Sequence, residues 1–97
     1  MKFRFLEDAK VELGEAKAWY NRERPGLGNT FVREVKTTIA KVAKNPEQWA
    51  EIEPGIRCCQ TPRFPYGLIY TLRNDEILVL AVMHLHREPG YWRNRRK

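Results

Sequence analysis

Two histidines, an arginine, a glutamate and a tyrosine fall within eight residues of one another in the stretch MHLHREPGYW, Met83 to Trp92. Residues of these types can ligate a metal, move protons at a phosphate, or meet a charged partner. His84 and His86 lie two apart in a strand-like pattern, so their side chains share a face, as two metal ligands would. A catalytic zinc site wants a third protein ligand. Glu88, a cysteine or a distant carboxylate would have to supply it, and no recurrent spacing offers one. The expectation is therefore no metal and no cofactor.

A metal-free ribonuclease is chemically more plausible. It needs a base for the 2′-hydroxyl, an acid for the leaving oxygen and cations against the phosphorane. His86 and Arg87 are the candidate catalytic pair. Arg57 or Arg63 could hold the phosphate, and Glu51, Glu53 or Tyr91 could complete the proton traffic. A structural reading stands beside it. His84 would end its strand half-buried, Arg87 would pair with Glu88 or a nearby carboxylate, and Tyr91 and Trp92 would cover an open sheet face.

Charge adds a direction. The net charge is +6, and it is unevenly placed. Residues 1–54 carry ten Lys/Arg against nine Asp/Glu, whereas residues 55–97 carry eight against three. The second half should face an acidic partner, either nucleic acid or an acidic protein segment. Arg57, Arg63, His84, Arg87, Arg93, Arg95 and Arg96 are the candidate anion contacts. Trp19, Tyr20, Tyr91 and Trp92 are candidates for a partner-binding surface, since aromatics beside a basic sheet could seat a helix or an extended segment.

The elements that must position these residues follow from periodicity. KFRF at 2–5 alternates as a half-buried strand does. Asp8 reads as the cap of a helix whose stripe is Ala9, Leu13, Ala16 and Tyr20, ending near Arg24 before Pro25. The turn RPGLGN lacks the Lys-Ser/Thr ending of a phosphate loop. A second helix, about Gly28 to Lys44, carries Leu27, Phe31, Val35, Ile39 and Val42, and Asn45-Pro46 stops it. Trp49 closes the bottom of this helical core. The period then becomes two. GIRCCQT, YGLIYTL and EILVLAVMHL read as strands, the last two joined as a hairpin through Arg73-Asn74-Asp75. Tyr66, Leu68, Tyr70 and Leu72 share one face; Ile77, Val79, Ala81 and Met83 share another. Pro62 and Pro65 hold Arg63-Phe64 extended at a strand entrance.

The order β-α-α-β-β-β makes one α+β domain over residues 1–97, with a helical hairpin on an antiparallel sheet and a short basic tail at 93–97. Adjacent Cys58 and Cys59 point to opposite faces and read as one buried filler and one more exposed thiol. The longest apolar run, Ile77 to Met83, is too short for a membrane span. No signal-peptide segment opens the chain, so the cytoplasm is the expected location.

Taken in order, EAKAWY (15–20), RPGLGNTFVREV (24–35), NPEQW (45–49), RFPYGLIY (63–70) and VLAVMHLHREPGYW (79–92) resemble the RelE/ParE superfamily of type II toxin–antitoxin toxins. The chain is most similar to the ParE-like, plasmid-stabilisation branch. The resemblance implies a curved antiparallel sheet under the hairpin and a cognate antitoxin that wraps the toxin with an often acidic segment. It also implies that operator DNA is met only indirectly, through the antitoxin. ParE-like members poison DNA gyrase; RelE-like members cut mRNA on the ribosome. RNA-cleaving relatives commonly place an arginine before the L-[IV]-Y of the 66–70 strand, and here that residue is Gly67. His86 falls about where some of them carry a catalytic histidine, Arg87 about where others carry a basic residue, and Trp92 near the place of a catalytic tyrosine. The resemblance therefore favours a gyrase inhibitor, with an mRNA endoribonuclease as the alternative.

Overall fold

The computed structural model describes residues 1–95, so Arg96 and Lys97 lie outside the described residues. The chain runs β1 (Lys2–Phe5), α1 (Glu7–Glu23), α2 (Leu27–Lys44), β2 (Glu51–Glu53), β3 (Ile56–Gln60), β4 (Tyr66–Arg73), β5 (Glu76–His84) and a 3-10 turn at Arg93–Arg95. The strands form one sheet in the order β1-β5-β4-β3-β2. The α+β expectation of a helical hairpin on an antiparallel sheet holds for β2 to β5. Two details were not foreseen. The three-residue strand β2 pairs with β3, and β1 lies parallel to β5.

Asp8 does not cap α1. Leu6 occupies that position, extended and without a side-chain bond, and its N–H is spent on the Val79 carbonyl at 3.0 Å. Glu7 and Asp8 instead sit in the first turn, where negative charge complements the helix dipole. Between the helices, Gly26 takes φ 88°, a left-handed conformation that costs glycine little. Gly28 is needed for close approach rather than for an unusual dihedral. A Cβ there would overlap the Lys17 carbonyl, so its absence lets α1 and α2 close on one another. Its N–H donates to Asn21 Oδ1 at 2.7 Å, fixing the turn.

The hairpin packs on one sheet face through Ala9, Ala16, Phe31, Val35, Ile39 and Val42, against Leu68, Tyr70, Ile77, Val79 and Val82. The opposite face holds Ile56, Ile69, Leu78, Leu80 and Ala81. The expected grouping of Ile77, Val79, Ala81 and Met83 is thus corrected. Ile69 opposes Ala81 while Tyr70 opposes Val79, so Leu80 is the extra residue of a β-bulge. The bulge turns Ala81 and Met83 to the second face and brings Val82 and His84 beneath the helices. The β4–β5 hairpin closes through Asn74 and Asp75, both at positive φ, the geometry of a two-residue turn that suits twisted strands. Cys59 is buried and Cys58 half-buried, both free, on opposite faces. No helix among the described residues is long and apolar enough to cross a membrane.

Candidate functional site

β5 ends at His84, where its last Cα partner is Tyr66. The chain then turns: Leu85 N–H donates to the Pro65 carbonyl at 2.8 Å, and Arg87 N–H donates to the His84 carbonyl at 2.9 Å. His86 therefore lies in a turn, not two residues further along a strand face. The two imidazoles still meet edge to face, 5.2 Å between centroids. His86 N–H donates to His84 Nδ1 at 3.1 Å, which leaves Nε2 to carry the proton of a neutral His84 ring. Among the described residues, no group of three His, Cys, Asp or Glu side chains is placed to hold a metal ion.

Beyond the turn the chain doubles back under the sheet. Trp92 is 3% exposed and packs on the second face, so its expected part in a partner surface is corrected: it is core. Tyr91 is half-buried, its hydroxyl donating to Glu12 Oε2 at 2.6 Å. Burial, with the Glu12 bond and charge added, pushes the Tyr91 phenol well above its ordinary range, so it does not exchange protons near neutrality. Arg87 does not pair with Glu88. Its guanidinium lies 4.1 Å from the Tyr91 ring centroid, a cation–π arrangement, with Arg95 at 5.0 Å from the same ring.

Glu12 organises this corner. Its Oε1 accepts from Val82 N–H at 3.0 Å and from Arg95 Nη1 at 2.9 Å. β1 runs beside β5 only as far as Val79, and past it Glu12 and Arg95 take over the open edge, Arg95 donating to the Leu80 carbonyl at 3.1 Å. Asp8 adds a contact to Arg95 at 3.4 Å. Sequence reasoning missed Glu12, although a signal existed. It stands at helical spacing inside the stripe of Ala9, Leu13 and Ala16, where a charge must find partners.

The remaining candidates lie elsewhere. Arg57, opposite Tyr70, donates to the Trp49 carbonyl at 2.5 Å and the Glu47 carbonyl at 3.2 Å. Arg63 pairs with the buried Glu34 at 2.8 Å, and the same carboxylate accepts the N–H groups of Arg63 and Phe64. Burial raises the Glu34 pKa, but the bonds and charge of Arg63 outweigh it and hold the carboxyl below its ordinary range. Arg93 pairs with Glu53 at 2.6 Å, and Glu51 accepts from Gly55 N–H. Arg96 lies outside the described residues. Tyr20 belongs to a ring cluster with Phe31, Phe64 and Tyr66, whereas Trp19 stays 50% exposed.

What comes together is a cleft of about 200 Å³ between α1 and the end of β5. α1 contributes Glu12, Glu15 and Trp19, β4 contributes Tyr66, and His84, Arg87 and Tyr91 complete the wall. A larger apolar groove, about 630 Å³, runs between β1 and the helices, lined by Phe3, Phe5, Leu13, Val35 and Ile39 and flanked by Lys10 and Lys36. Gly67 lies across the sheet from His84, because it opposes Met83 on the second face. A Cβ there would come 2.7 Å from Cys58 Sγ, so the thiol fills the space of the missing side chain.

The family described as ParE toxin of type II toxin-antitoxin system, parDE, matches residues 3–89 of the chain. Among solved structures, the chain is similar to the one described as the chromosomal ParDE TA system from P. aeruginosa. The TM-score is 0.79 at 18% identity, covering 89% of this chain and 97% of that one. At that identity the likeness speaks for the fold alone. No curated protein matches the chain.

Proposed function

Because the chain belongs to the ParE toxin family of type II toxin–antitoxin systems, we propose that it is a toxin that binds and inhibits DNA gyrase by protein contact, making and breaking no bonds itself. The observation that carries this reading is at position 67. A phosphate-holding arginine would need room there, and Cys58 Sγ occupies it, on the sheet face opposite His84. Most of the other candidate cations are spent, which leaves Arg87 as the uncommitted arginine beside the histidines among the described residues. Arg57 holds loop carbonyls, Arg63 holds Glu34 and Arg95 holds Glu12. Developing charge on a phosphorane requires fixed, uncommitted cations near the acid and base; a protein contact does not.

A cognate antitoxin neutralises the toxin in this reading. The apolar groove beside β1, flanked by Lys10 and Lys36, suits an amphipathic segment with acidic edges, and the net charge of +6 favours such a partner. Purified protein freed of antitoxin should block gyrase supercoiling or accumulate cleaved DNA–gyrase complexes over a concentration series, and added antitoxin should reverse it. Gyrase from several bacteria remaining unaffected would sink the proposal. One observation favours the alternative of a ribosome-dependent mRNA endoribonuclease: His84, His86 and Arg87 do converge at one turn. Transcript cleavage on translating ribosomes, lost in His86→Ala, would put that reading in its place.

A further inference from the structure

In the basic half of the chain, most of the arginines among the described residues are spoken for. Arg57, Arg63, Arg93 and Arg95 each donate to carbonyl or carboxylate oxygens. Arg73 stands exposed at the tip of the β4–β5 hairpin. Arg87 differs from all of them. It is exposed, it lines a cleft, and among the described residues its guanidinium has no hydrogen-bonded acceptor. It is also held in place, 4.1 Å over a Tyr91 ring that the Glu12 bond fixes from below. A cation whose position is already set loses less freedom when it meets an anion.

The surroundings define what that anion is attached to. Glu12 does not neutralise Arg87, since its oxygens already serve Val82 N–H, Tyr91 and Arg95. His84 offers Nε2 as its one free donor. Trp19 leaves half its surface open beside Tyr66, giving an apolar flank. Small-molecule pockets usually enclose about 300–1,000 Å³; this cleft, at about 200 Å³, has room for one side chain. Exposed Trp and Arg beside Tyr are also the composition of interface hot spots. Nucleic acid fits less well. Its affinity comes from many phosphate contacts, and among the described residues one uncommitted arginine lines the cleft, with the Glu15 carboxylate on the same rim.

We propose that the cleft is an anchor pocket for one acidic side chain of a partner protein, its carboxylate held by Arg87 and its methylene stem laid against Trp19 and Tyr66. The proposal rests on the reading that this toxin works through protein contacts, and it adds where one such contact is made and with what chemistry. Glu15 gives it a signature. As the one carboxylate on the rim without a partner among the described residues, it opposes the incoming acid, and removing its charge should strengthen binding.

The test uses the full chain, freed of antitoxin and isotope-labelled, titrated with the peptide acetyl-Leu-Glu-Leu-amide and with its glutamine counterpart. The glutamate peptide should shift the Trp19 indole N–H, Tyr66 and Arg87 Nε–H resonances. The glutamine peptide, or the Arg87→Gln variant with the glutamate peptide, should bind about tenfold more weakly. Glu15→Gln should bind the glutamate peptide about threefold more tightly, a gain that no loss of folding can imitate. Equal binding of the two peptides, no response at these three groups, or unchanged affinity in Arg87→Gln would overturn the pocket. So would tighter binding of a uridine trinucleotide at the same resonances, which would assign the cleft to nucleic acid. Peptide binding as expected with gyrase unaffected would leave the pocket standing and remove only the target.

Discussion

Glu12 and Glu34 occupy equivalent places in the two helices: each interrupts an apolar stripe, is largely buried, and accepts from an arginine and from backbone N–H, one for Glu12 and two for Glu34. They differ in what those bonds hold. Glu34 ties α2 to the Arg63-Phe64 segment at the entrance of β4, and the Arg63 side chain remains 71% exposed. Glu12 ties α1 to the bulged strand and to the C-terminal segment at once, and its Arg95 partner is only 17% exposed. One glutamate steadies a loop. The other fastens the turn at Arg93–Arg95 to α1 and thereby builds a wall of the cleft.

The exposure of the arginine decides the energetic ranking. Glu12→Ala leaves the half-buried Arg95 guanidinium only the Leu80 carbonyl and the longer contact to Asp8, and leaves the Tyr91 hydroxyl and Val82 N–H without their acceptor. Breaking a buried pair in this way costs about 3 kcal/mol, read as a lowered urea midpoint. Glu34→Ala lets Arg63 return to water, so what is lost is chiefly the bonds to two backbone N–H groups, about 1.5 kcal/mol. If Glu34→Ala proves the costlier of the two, the contrast drawn from arginine exposure is wrong. Loss of the Trp19 and Arg87 resonance positions in Glu12→Ala, but not in Glu34→Ala, would sharpen it.

Both glutamates show how far the sequence can be read. The stripes of α1 and α2, the hairpin turns and the doubly covered β5 follow from periods of 3.6 and two, because burial enforces those periods wherever a face meets the core. A charge inside a stripe was visible at positions 12 and 34, but its partner was not. The partners lie 29 residues away for Glu34 and as many as 83 for Glu12, and only the packed fold brings them together. The bulge at Leu80 was equally hidden, since no glycine or proline marks it in the run ILVLAVM. A one-residue insertion reverses side-chain parity, so the error propagated from Ala81 onward and reached the candidate site. At the histidines, Glu88-Pro89 did signal a break. Reading His86 as a strand residue passed over it.

Acid should separate the two glutamates by a smaller and more selective effect. Glu34 has an ordinary pKa of 4.5 when unfolded and a lower one when folded: burial alone would raise it, and the bonds and charge of Arg63 more than reverse that. Below about pH 4.5 the unfolded chain takes up this proton before the folded chain does, so stability falls as pH falls through the folded pKa and is fully present above the unfolded one. Glu34→Gln cannot take up that proton. Its stability between pH 6 and pH 3, followed by urea unfolding, should decline less steeply than that of the parent chain, by an amount tempered by the exposure of Arg63. Parallel profiles for the two proteins would mean that the Glu34 carboxylate gains nothing from Arg63 on folding, and the loop at the entrance of β4 would then be held by packing of Phe64 rather than by charge.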